Sequence, residues 1–240
     1  MKRQRIRVQE TIATVTVSEE FVPEIVPLIK ESREMIIAYI LQDPAFESSF
    51  SPIEVSKNAP DIIRRMAHAS AIAGVGPMAA VAGAIAQYVV EGLISSGAEH
   101  VIFDNGGDIA MYLKKPVVAG IYAGPDSVTE LGLRITDLGR IIGLCTSSGT
   151  VGHSFSYGKA DAAIVYSSDV ALADAVATRL GNLIVSRDPD LLTPSMRSAM
   201  LKGIDGVMSI VGDAVGTCGM LPEFVKANVY YDLISKSWED

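Results

Sequence analysis

The sequence predicts an α+β fold made of two similar halves that meet at a central interface. Short alternating or β-branched stretches, typical of strands, are interspersed with longer alanine-rich stretches, typical of helices. Hydrophobic residues make up 49% of the 240 residues but aromatic residues only 6%, which favours small-residue helices packed on β-branched strands. A helix-to-strand pattern also occurs twice. We therefore treat residues 1–240 as a single domain, with approximate halves 1–125 and 126–240.

The repeated pattern covers residues 82–108 and 173–213. Each copy runs from an alanine-rich helix to a strand that ends in Gly-Asp. The spacing between helix and strand differs in the two copies, and alanine-rich helices resemble one another by chance, which is the alternative explanation. If the repeat is real, Gly83 and Asp174 are equivalent positions, and a ligand is expected where the two helices meet.

The first half is predicted to begin with a β-hairpin and to continue with helices and strands. Prolines at positions 23 and 27 are expected to interrupt the chain, so that the first long helix starts only at Ile29. A glycine-rich turn is predicted to lead into a helix that ends near Gly97. In order, the elements are strands at Ile6–Val8 and Thr11–Val17, helices at Ile29–Gln42, Pro60–Ala73 and Met78–Ser95, and strands at Val101–Phe103, Ile109–Leu113 and Val117–Ile121.

The second half is predicted to place strands on both sides of a polar, glycine-rich loop that starts at Thr146. After the loop, a strand leads into a second alanine-rich helix, and prolines mark the connection that follows it. In order, the elements are strands at Leu131–Ile135, Ile141–Cys145 and Ala162–Tyr166, helices at Ala171–Leu183 and Ser195–Lys202, and a strand at Val207–Val211.

Charge and composition exclude several classes of protein. The net charge of −8 argues against nucleic acid as a partner, because phosphate binding requires clustered Lys and Arg. The first residues lack the apolar core of a signal peptide, and two cysteines are too few for a disulfide framework, so a cytoplasmic location is expected. Residues 69–90 carry no charge, but they are mostly Ala and Gly and contain Pro77. We therefore expect a buried helix there and no membrane span.

Asp174 and Thr178 are the first candidate site. They lie one turn apart on a predicted helix between alanines, so both side chains point from the same helix face. A carboxylate facing an apolar interior is costly unless it is paired or bound to a cation. Mg2+ accepts a carboxylate, a hydroxyl or carbonyl oxygen and substrate phosphates. The alternative is an exposed aspartate near a helix N-terminus, favoured by the helix dipole.

Three glycine-containing segments are candidate ligand-binding loops, because glycine allows close backbone approach and positive φ. A plain Asn-Gly turn is the alternative for the second segment, and the third matches neither a Walker loop nor the dinucleotide fingerprint. The three segments contribute, in turn, Thr146, Ser147, Ser148 and Gly149; the amides of Asn105, Gly106 and Gly107; and Gly74 and Gly76.

Histidine and cysteine supply further candidates. His153 lies in the polar loop and suits a general acid or base or an anion ligand, and the alternative is a solvated or structural histidine. Cys145, at a strand end, is expected to be a buried structural cysteine. Cys218, in a predicted glycine-rich turn, is a candidate reactive thiol.

Taken together, these motifs resemble the ApbE-like superfamily, whose best-known members are Mg2+-dependent FAD:protein FMN transferases. The segment Gly83–Ala86 looks like the family's Gly-x-Ile-Ala-Lys-Gly helix, and Val101–Gly107 looks like its strand ending in Asn-x-Gly-Gly or Gly-Gly-Asn/Asp. His153 looks like its loop histidine, and Ala173–Thr178 looks like its Ala-Asp-Ala-x-Ala-Thr metal motif. The resemblance covers roughly Gly76–Gly181 and implies a T-fold-like tandem duplication.

The resemblance also implies a site for Mg2+ and for FAD or a related nucleotide. Asp174 and Thr178 would ligate Mg2+ together with the backbone carbonyl of Ala86, and the flavin diphosphate would complete the shell. His153 or Asp161 would assist proton movement. A protein acceptor is implied as a partner, and the high apolar content is compatible with a homodimer.

The chain departs from the family pattern in two places. Gln87-Tyr88 replaces Lys-Gly, and the segment from His153 to Asp161 replaces the His-x-x-Asp-Pro-x-Thr-Gly loop. The chain therefore looks like a short branch of the superfamily, for which flavin transfer is one hypothesis. The alternatives are a flavin- or nucleotide-binding protein without transfer activity, and a redox or sulfur-handling enzyme that uses Cys218 or Cys145.

Overall fold

A large antiparallel sheet organises the fold, as described in a computed structural model. The structure describes residues 1–124, 128, 130–148, 158–186 and 188–227. With strands numbered in chain order, the eight-stranded sheet contains, side by side, β1 (Lys2–Val8), β2 (Thr11–Val17), β3 (Val101–Asn105), β4 (Asp108–Tyr112), β7 (Ile141–Ser147), β8 (Ala162–Ser167), β9 (Gly206–Val211) and β10 (Ala214–Gly219). Every neighbouring pair is antiparallel, and β1 and β10 are the outer strands.

A smaller sheet and a layer of helices complete the architecture. The three-stranded sheet has the order β11 (Glu223–Lys226), β6 (Leu131–Ile135) and β5 (Val117–Gly120). The helices are α1 (Val22–Gln42), α2 (Ala45–Ser48), α3 (Asp61–Ala73), α4 (Val81–Ser95), α5 (Val170–Leu183) and α6 (Leu192–Ala199), with 3-10 turns at Glu19–Phe21, Pro77–Ala80 and Pro189–Leu191.

The large sheet separates two hydrophobic clusters. All six residues of β8 are buried, as expected for a strand covered on both faces. Because successive side chains of a strand point to opposite faces, Ala163 and Val165 join the cluster beneath the helices, while Ile164 and Tyr166 join a second cluster with the smaller sheet. The combination of helices and antiparallel sheets confirms the predicted α+β class.

Helix α4 occupies the centre of the helical layer and packs against β3, β4, α1 and α5. Among the described residues, one helical segment, Pro77–Ser95, is long and apolar enough by length and composition to cross a membrane. Core helices meet the same test. The alanine-rich helix predicted to be buried is found there, with Gly83, Ala86 and Val90 among its buried residues.

Several predicted elements agree closely with the structure. The hairpin is confirmed, with β2 at the predicted Thr11–Val17, and β6 has the predicted bounds Leu131–Ile135. The helix predicted at Ala171–Leu183 is α5, which begins one residue earlier. These stretches have a clear periodicity or strong turn residues at both ends, which is why their bounds were predictable.

Helix α1 is a correction, because it starts at Val22 and not at Ile29. Pro23 lies in the first turn, where its missing N–H has no helical partner to lose. Pro27 stands on the exposed side of the helix, and buried Ile25 faces the core. Burial of the apolar face therefore outweighs the single hydrogen bond that Pro27 removes.

The polar loop and the Cys218 turn also need correction. Thr146 and Ser147 were predicted to open the loop but form the end of β7. Cys218 was predicted to lie in a turn but lies in β10, where Thr217 and Cys218 pair with Met208 and Val207 of β9. The glycines of β10 suggested a turn because glycine is depleted in strands, and tertiary pairing overrides that preference.

Gly83→Ala should destabilise the fold because α4 and α5 leave no space for a methyl group. The added Cβ would lie 2.6 Å from the carbonyl oxygen of Val170 and 2.8 Å from Cβ of Asp174. We expect overpacking to cost about 1–3 kcal/mol of the free energy of unfolding, measured by urea denaturation, which outweighs the gain in helix propensity of about 1 kcal/mol.

Gly92→Ala is the matched control in the same helix. There the new Cβ would meet Cδ2 of Leu28, the end of a flexible side chain, at 2.6 Å. This variant should keep or exceed the stability of the unmodified protein. Equal effects of the two substitutions would contradict a tight backbone crossing at Gly83.

Candidate functional site

The candidate site lies where the N-terminus of α4, the β3–β4 turn and the first turns of α5 meet. The amide N–H of Gly83 donates to Oδ2 of Asp174 at 2.8 Å. Nδ2 of Asn105, at the start of the turn, donates to the carbonyl oxygen of Ala82 at 3.1 Å. Residues from three distant parts of the sequence are therefore held together at one end of α4.

Asp108 and Cys145 form the sheet side of this site. They face each other across the β4–β7 pairing, at the centre of the eight-stranded sheet. The thiol of Cys145 donates to the carbonyl oxygen of Val170 at 3.5 Å, which ties β7 to the start of α5. Both Asp108 and Asp174 repel a Cys145 thiolate and so add to the effect of burial, which raises the pKa of this thiol.

The surroundings of the Asp174 carboxyl group disfavour its ionised form. It is 8% exposed. Burial raises its pKa well above the ordinary value, and the neighbouring Asp108 carboxylate raises it further, while the backbone amides of Gly83 and Ala82 act in the opposite direction. No cationic side chain of the described residues is among these causes. An ionised Asp174 therefore needs additional positive charge at this place.

The chemistry of the predicted ligands fits a hard cation. Thr178 lies one turn after Asp174 and is half-buried, and Ala86 is buried in α4 one turn after Ala82. Carboxylate, hydroxyl and carbonyl oxygens are the ligands that Mg2+ prefers. The described residues contain no cluster of three or more His, Cys, Asp or Glu side chains arranged for a metal. Any metal held here would consequently take part of its shell from the backbone and from a ligand.

Cys145 has the properties of a buried structural cysteine. Its side chain is inaccessible to solvent. Burial is the largest cause that raises the pKa of the thiol well above its usual value, and repulsion from Asp108 and Asp174 raises it further. A thiolate nucleophile is therefore disfavoured at this position. Cys218 is also a free thiol and is half-buried in β10.

The turn between β3 and β4 leaves its backbone open to close approach by another group, because it contains two glycines. Gly106 and Gly107 have φ values of 69° and 105°, in the region that favours glycine. The amide of Gly107 donates to Oδ1 of Asp104 at 2.8 Å, and Asn105 is anchored on α4. The predicted role of the amides of residues 105–107 in ligand binding stays a prediction.

The other glycine-rich turn has a clear structural role. Gly74 ends α3 with φ of 68°, and its amide donates to the carbonyl oxygen of Ser70 at 2.8 Å. Gly76 packs so tightly on Ser49 that a Cβ would lie 1.9 Å from the Ser49 carbonyl oxygen. Both glycines are therefore explained by the fold, and their predicted contact with a ligand stays a prediction.

The remaining predicted residues fall on and around the end of β7. Ser147 and Ser148 are buried and Thr146 is half-buried, whereas Gly149 and His153 lie outside the described residues.

Asp161 precedes β8 and is 6% exposed. Its Oδ2 accepts the amide of Gly212 at 2.6 Å, so this carboxylate fixes the β9–β10 turn. Its predicted part in proton transfer stays a prediction.

Two residues of the site were missed by the sequence reasoning. Asp108 is adjacent to the predicted Gly106-Gly107 turn, but only the β4–β7 pairing shows that it lies opposite Cys145, and its carboxylate raises the pKa of Asp174. Gln87, noted only as a departure from a motif, accepts the amide of Val170 at 3.0 Å. Its spacing of four residues from Gly83 was the available signal, because residues one turn apart share a helix face.

Comparisons with known proteins agree with this architecture. A family model described as AbpE bacteria matches residues 2–198. The UPF0280 protein of Methanocella arvoryzae is 46% identical over 238 residues, covering 98% of this chain and 96% of that protein. The UPF0280 protein of Methanothrix thermoacetophila is 42% identical over 239 residues, covering 98% of this chain and all (100%) of that protein.

Solved structures show the same fold at low sequence identity. The flavin transferase ApbE from Vibrio cholerae has a TM-score of 0.56 and 12% identity, covering 90% of this chain and 96% of that chain. The flavinyl transferase ApbE of Pseudomonas stutzeri, in its apo form, has a TM-score of 0.52 and 12% identity, covering 99% and 98%. With the family match over most of its length, this protein belongs to the AbpE bacteria family and has the fold of the ApbE flavin transferases.

Proposed function

We propose that this protein binds Mg2+ and FAD, or a related nucleotide, between its two halves and transfers the flavin nucleotidyl group to a protein acceptor. The buried Asp174 carboxyl group carries this proposal, because burial and Asp108 both disfavour its ionised form. A bound divalent cation would reverse that balance. The fold shared with the flavin transferase ApbE from Vibrio cholerae supports the choice of flavin as ligand.

The proposed chemistry assigns a role to each group of the site. Asp174, Thr178 and the carbonyl of Ala86 would hold Mg2+, which when bound would neutralise the charge of a diphosphate. An acceptor hydroxyl would attack the phosphorus of the flavin phosphate, and the bond to the adenylate would break. His153 or Asp161 would accept the proton of that hydroxyl.

A tandem duplication would explain where the ligand lies. Each half would be a hairpin, a helix and a second hairpin: β1–β2, α4 and β3–β4 in the first, and β7–β8, α5 and β9–β10 in the second. The sheet order is then the same in both halves, with β4 and β7 at the seam. Gly83 and Asp174, equivalent in the suspected repeat, contact each other, which is expected of equivalent positions on a two-fold axis.

Ligand binding without transfer is the second candidate. Gln87 stands where the family motif has a lysine, and its side chain is engaged with the N-terminus of α5. A transferase that relied on that lysine would lack it here. The redox alternative gains no support at Cys145, because burial raises the pKa of this thiol. A cytoplasmic location and a homodimer remain part of the proposal; exposed Leu41 and Phe50 are compatible with the latter.

Asp174→Asn should abolish Mg2+ binding without harming the fold. An amide oxygen can still accept the Gly83 N–H, but it buries no charge beside Asp108. In EDTA at neutral pH the variant should therefore be at least as stable as the unmodified protein. Because the pKa of Asp174 is raised, this difference should shrink as the pH falls and the carboxyl becomes protonated. At an Mg2+ concentration of roughly 100 Kd, the unmodified protein should gain about 2.7 kcal/mol in the free energy of unfolding.

Asp169→Asn is the control for this experiment. Asp169 caps α5 by accepting the amide of Leu172 at 3.0 Å, and asparagine caps helices equally well. This variant should keep the full stabilisation by Mg2+, measured by urea unfolding with and without the metal. If Asp174→Asn were stabilised by Mg2+ as much as the unmodified protein, the metal assignment would be wrong.

Mass spectrometry can separate transfer from binding. The protein is incubated with FAD, Mg2+ and a set of serine- and threonine-containing peptides, and the peptides are searched for a flavinyl phosphate adduct. We expect an adduct that is lost in EDTA and in Asp174→Asn, because the metal would neutralise the diphosphate. FAD binding by calorimetry with no adduct would instead favour the non-transferring alternative, and neither binding nor adduct would refute both.

A further inference from the structure

Gln87 and Asp174 cap each other's helices. Oε1 of Gln87, in α4, accepts the amides of Val170 and Ala171 at 3.0 and 3.4 Å, at the start of α5. In the opposite direction, Asp174 in α5 accepts the amide of Gly83 near the start of α4 at 2.8 Å. Each helix thus supplies the side chain that satisfies N-terminal amides of the other.

The spacing of these residues couples the two contacts. Gln87 lies four residues after Gly83, and Asp174 lies four residues after Val170, so each pair occupies one face of its helix. A Cβ on Gly83 would be 2.6 Å from the Val170 carbonyl oxygen, which shows that the backbones touch here. A shift of the first turn of α5 would consequently move Asp174 relative to α4.

The side-chain amide of Gln87 is held in one orientation. Its Nε2 donates to Oε1 of Glu91 at 3.0 Å, and the same oxygen accepts Nη1 of Arg65 at 2.8 Å. Arg65 in turn pairs with Asp61 at 3.1 Å. Because a carboxylate only accepts hydrogen bonds, Glu91 selects the NH2 group of Gln87 and leaves Oε1 directed at α5.

The first three backbone amides of α5 all donate hydrogen bonds to side chains of the protein. Gln87 takes the amides of Val170 and Ala171, and Asp169 takes the amide of Leu172 at 3.0 Å. The first three amides of the helix therefore have partners from the chain itself. These amides are therefore not available to a ligand, and the contacts of Gln87 serve to position α5 against α4.

We propose that Gln87 is a positioning residue for Asp174. By fixing the first turn of α5 against α4, it sets the distance between the Asp174 carboxyl group and the N-terminus of α4. It thereby sets the Mg2+ affinity of the proposed site. The part that concerns Mg2+ rests on the proposed function, whereas the positioning of Asp174 does not.

Gln87→Met tests the proposal, because methionine has a similar length but offers no strong acceptor to the amides of α5. Two quantities are measured on the full chain: hydrogen-exchange protection of the Gly83 amide by NMR in EDTA, and Mg2+ affinity by calorimetry. We expect the Gly83 amide to lose protection and the Mg2+ affinity to fall by about 10-fold to 100-fold, as for other residues that orient metal ligands. The double variant Gln87→Glu with Glu91→Gln keeps an acceptor oxygen for the amides of α5 and a donor opposite it, so it should restore much of the Gly83 protection.

Asp169→Ala is the control for a purely structural effect at the same helix end. It removes an ordinary cap and should cost about 1 kcal/mol of stability while leaving the Gly83 amide and the Mg2+ affinity unchanged. If Gln87→Met behaved in the same way, the positioning role would be refuted.

Glu91→Ala is the second variant, in case Gln87→Met does not fold. It leaves Gln87 in place but releases its amide to turn, so a smaller loss of Gly83 protection is expected. Unchanged protection would refute the proposal. If the unmodified protein binds no Mg2+, the proposed function fails, and the Gly83 amide still decides whether Gln87 positions Asp174.

Discussion

The close crossing of α4 and α5 is the constraint on which the rest of the molecule depends. Gly83 allows the backbone of α4 to approach the Val170 carbonyl, and the Asp174 carboxyl group closes the contact with a hydrogen bond. Because this crossing lies over the seam between β4 and β7, it joins the two parts of the large sheet through the helical layer as well as through the strands. A residue without a side chain is required at position 83 for this reason.

The same crossing brings together groups that repel each other. The carboxylate of Asp108 raises the pKa of the buried Asp174, and burial together with both carboxylates raises the pKa of the Cys145 thiol. Natural folds tolerate such an arrangement mainly at functional sites, where a bound cation or a proton offsets its cost. Electrostatic strain and tight packing therefore coincide in one place, and this coincidence distinguishes the site from the glycine-rich turns elsewhere in the chain.

The sequence predicted those features that local pattern determines. The alanines around Asp174 indicated a helix face turned inward, and the hydrogen bond from Gly83 shows that this face meets α4. The spacing of Gln87 from Gly83 indicated a shared helix face, but the contact of Gln87 with Val170 could not be predicted because the two residues are 83 positions apart in the chain. The position of Asp108 beside Asp174 likewise depends on strand pairing, which periodicity does not reveal.

The two outer strands of the large sheet differ in a way that affects how the sheet can grow. Strand β1 carries Lys2, Arg3, Arg5 and Arg7, and such charged side chains oppose the addition of a strand from another molecule. Strand β10 carries no charged residue and exposes Val215. In the described part of the chain, charge therefore hinders the pairing of another molecule's strand with β1 but not with β10. Any intermolecular strand pairing is expected at the β10 edge.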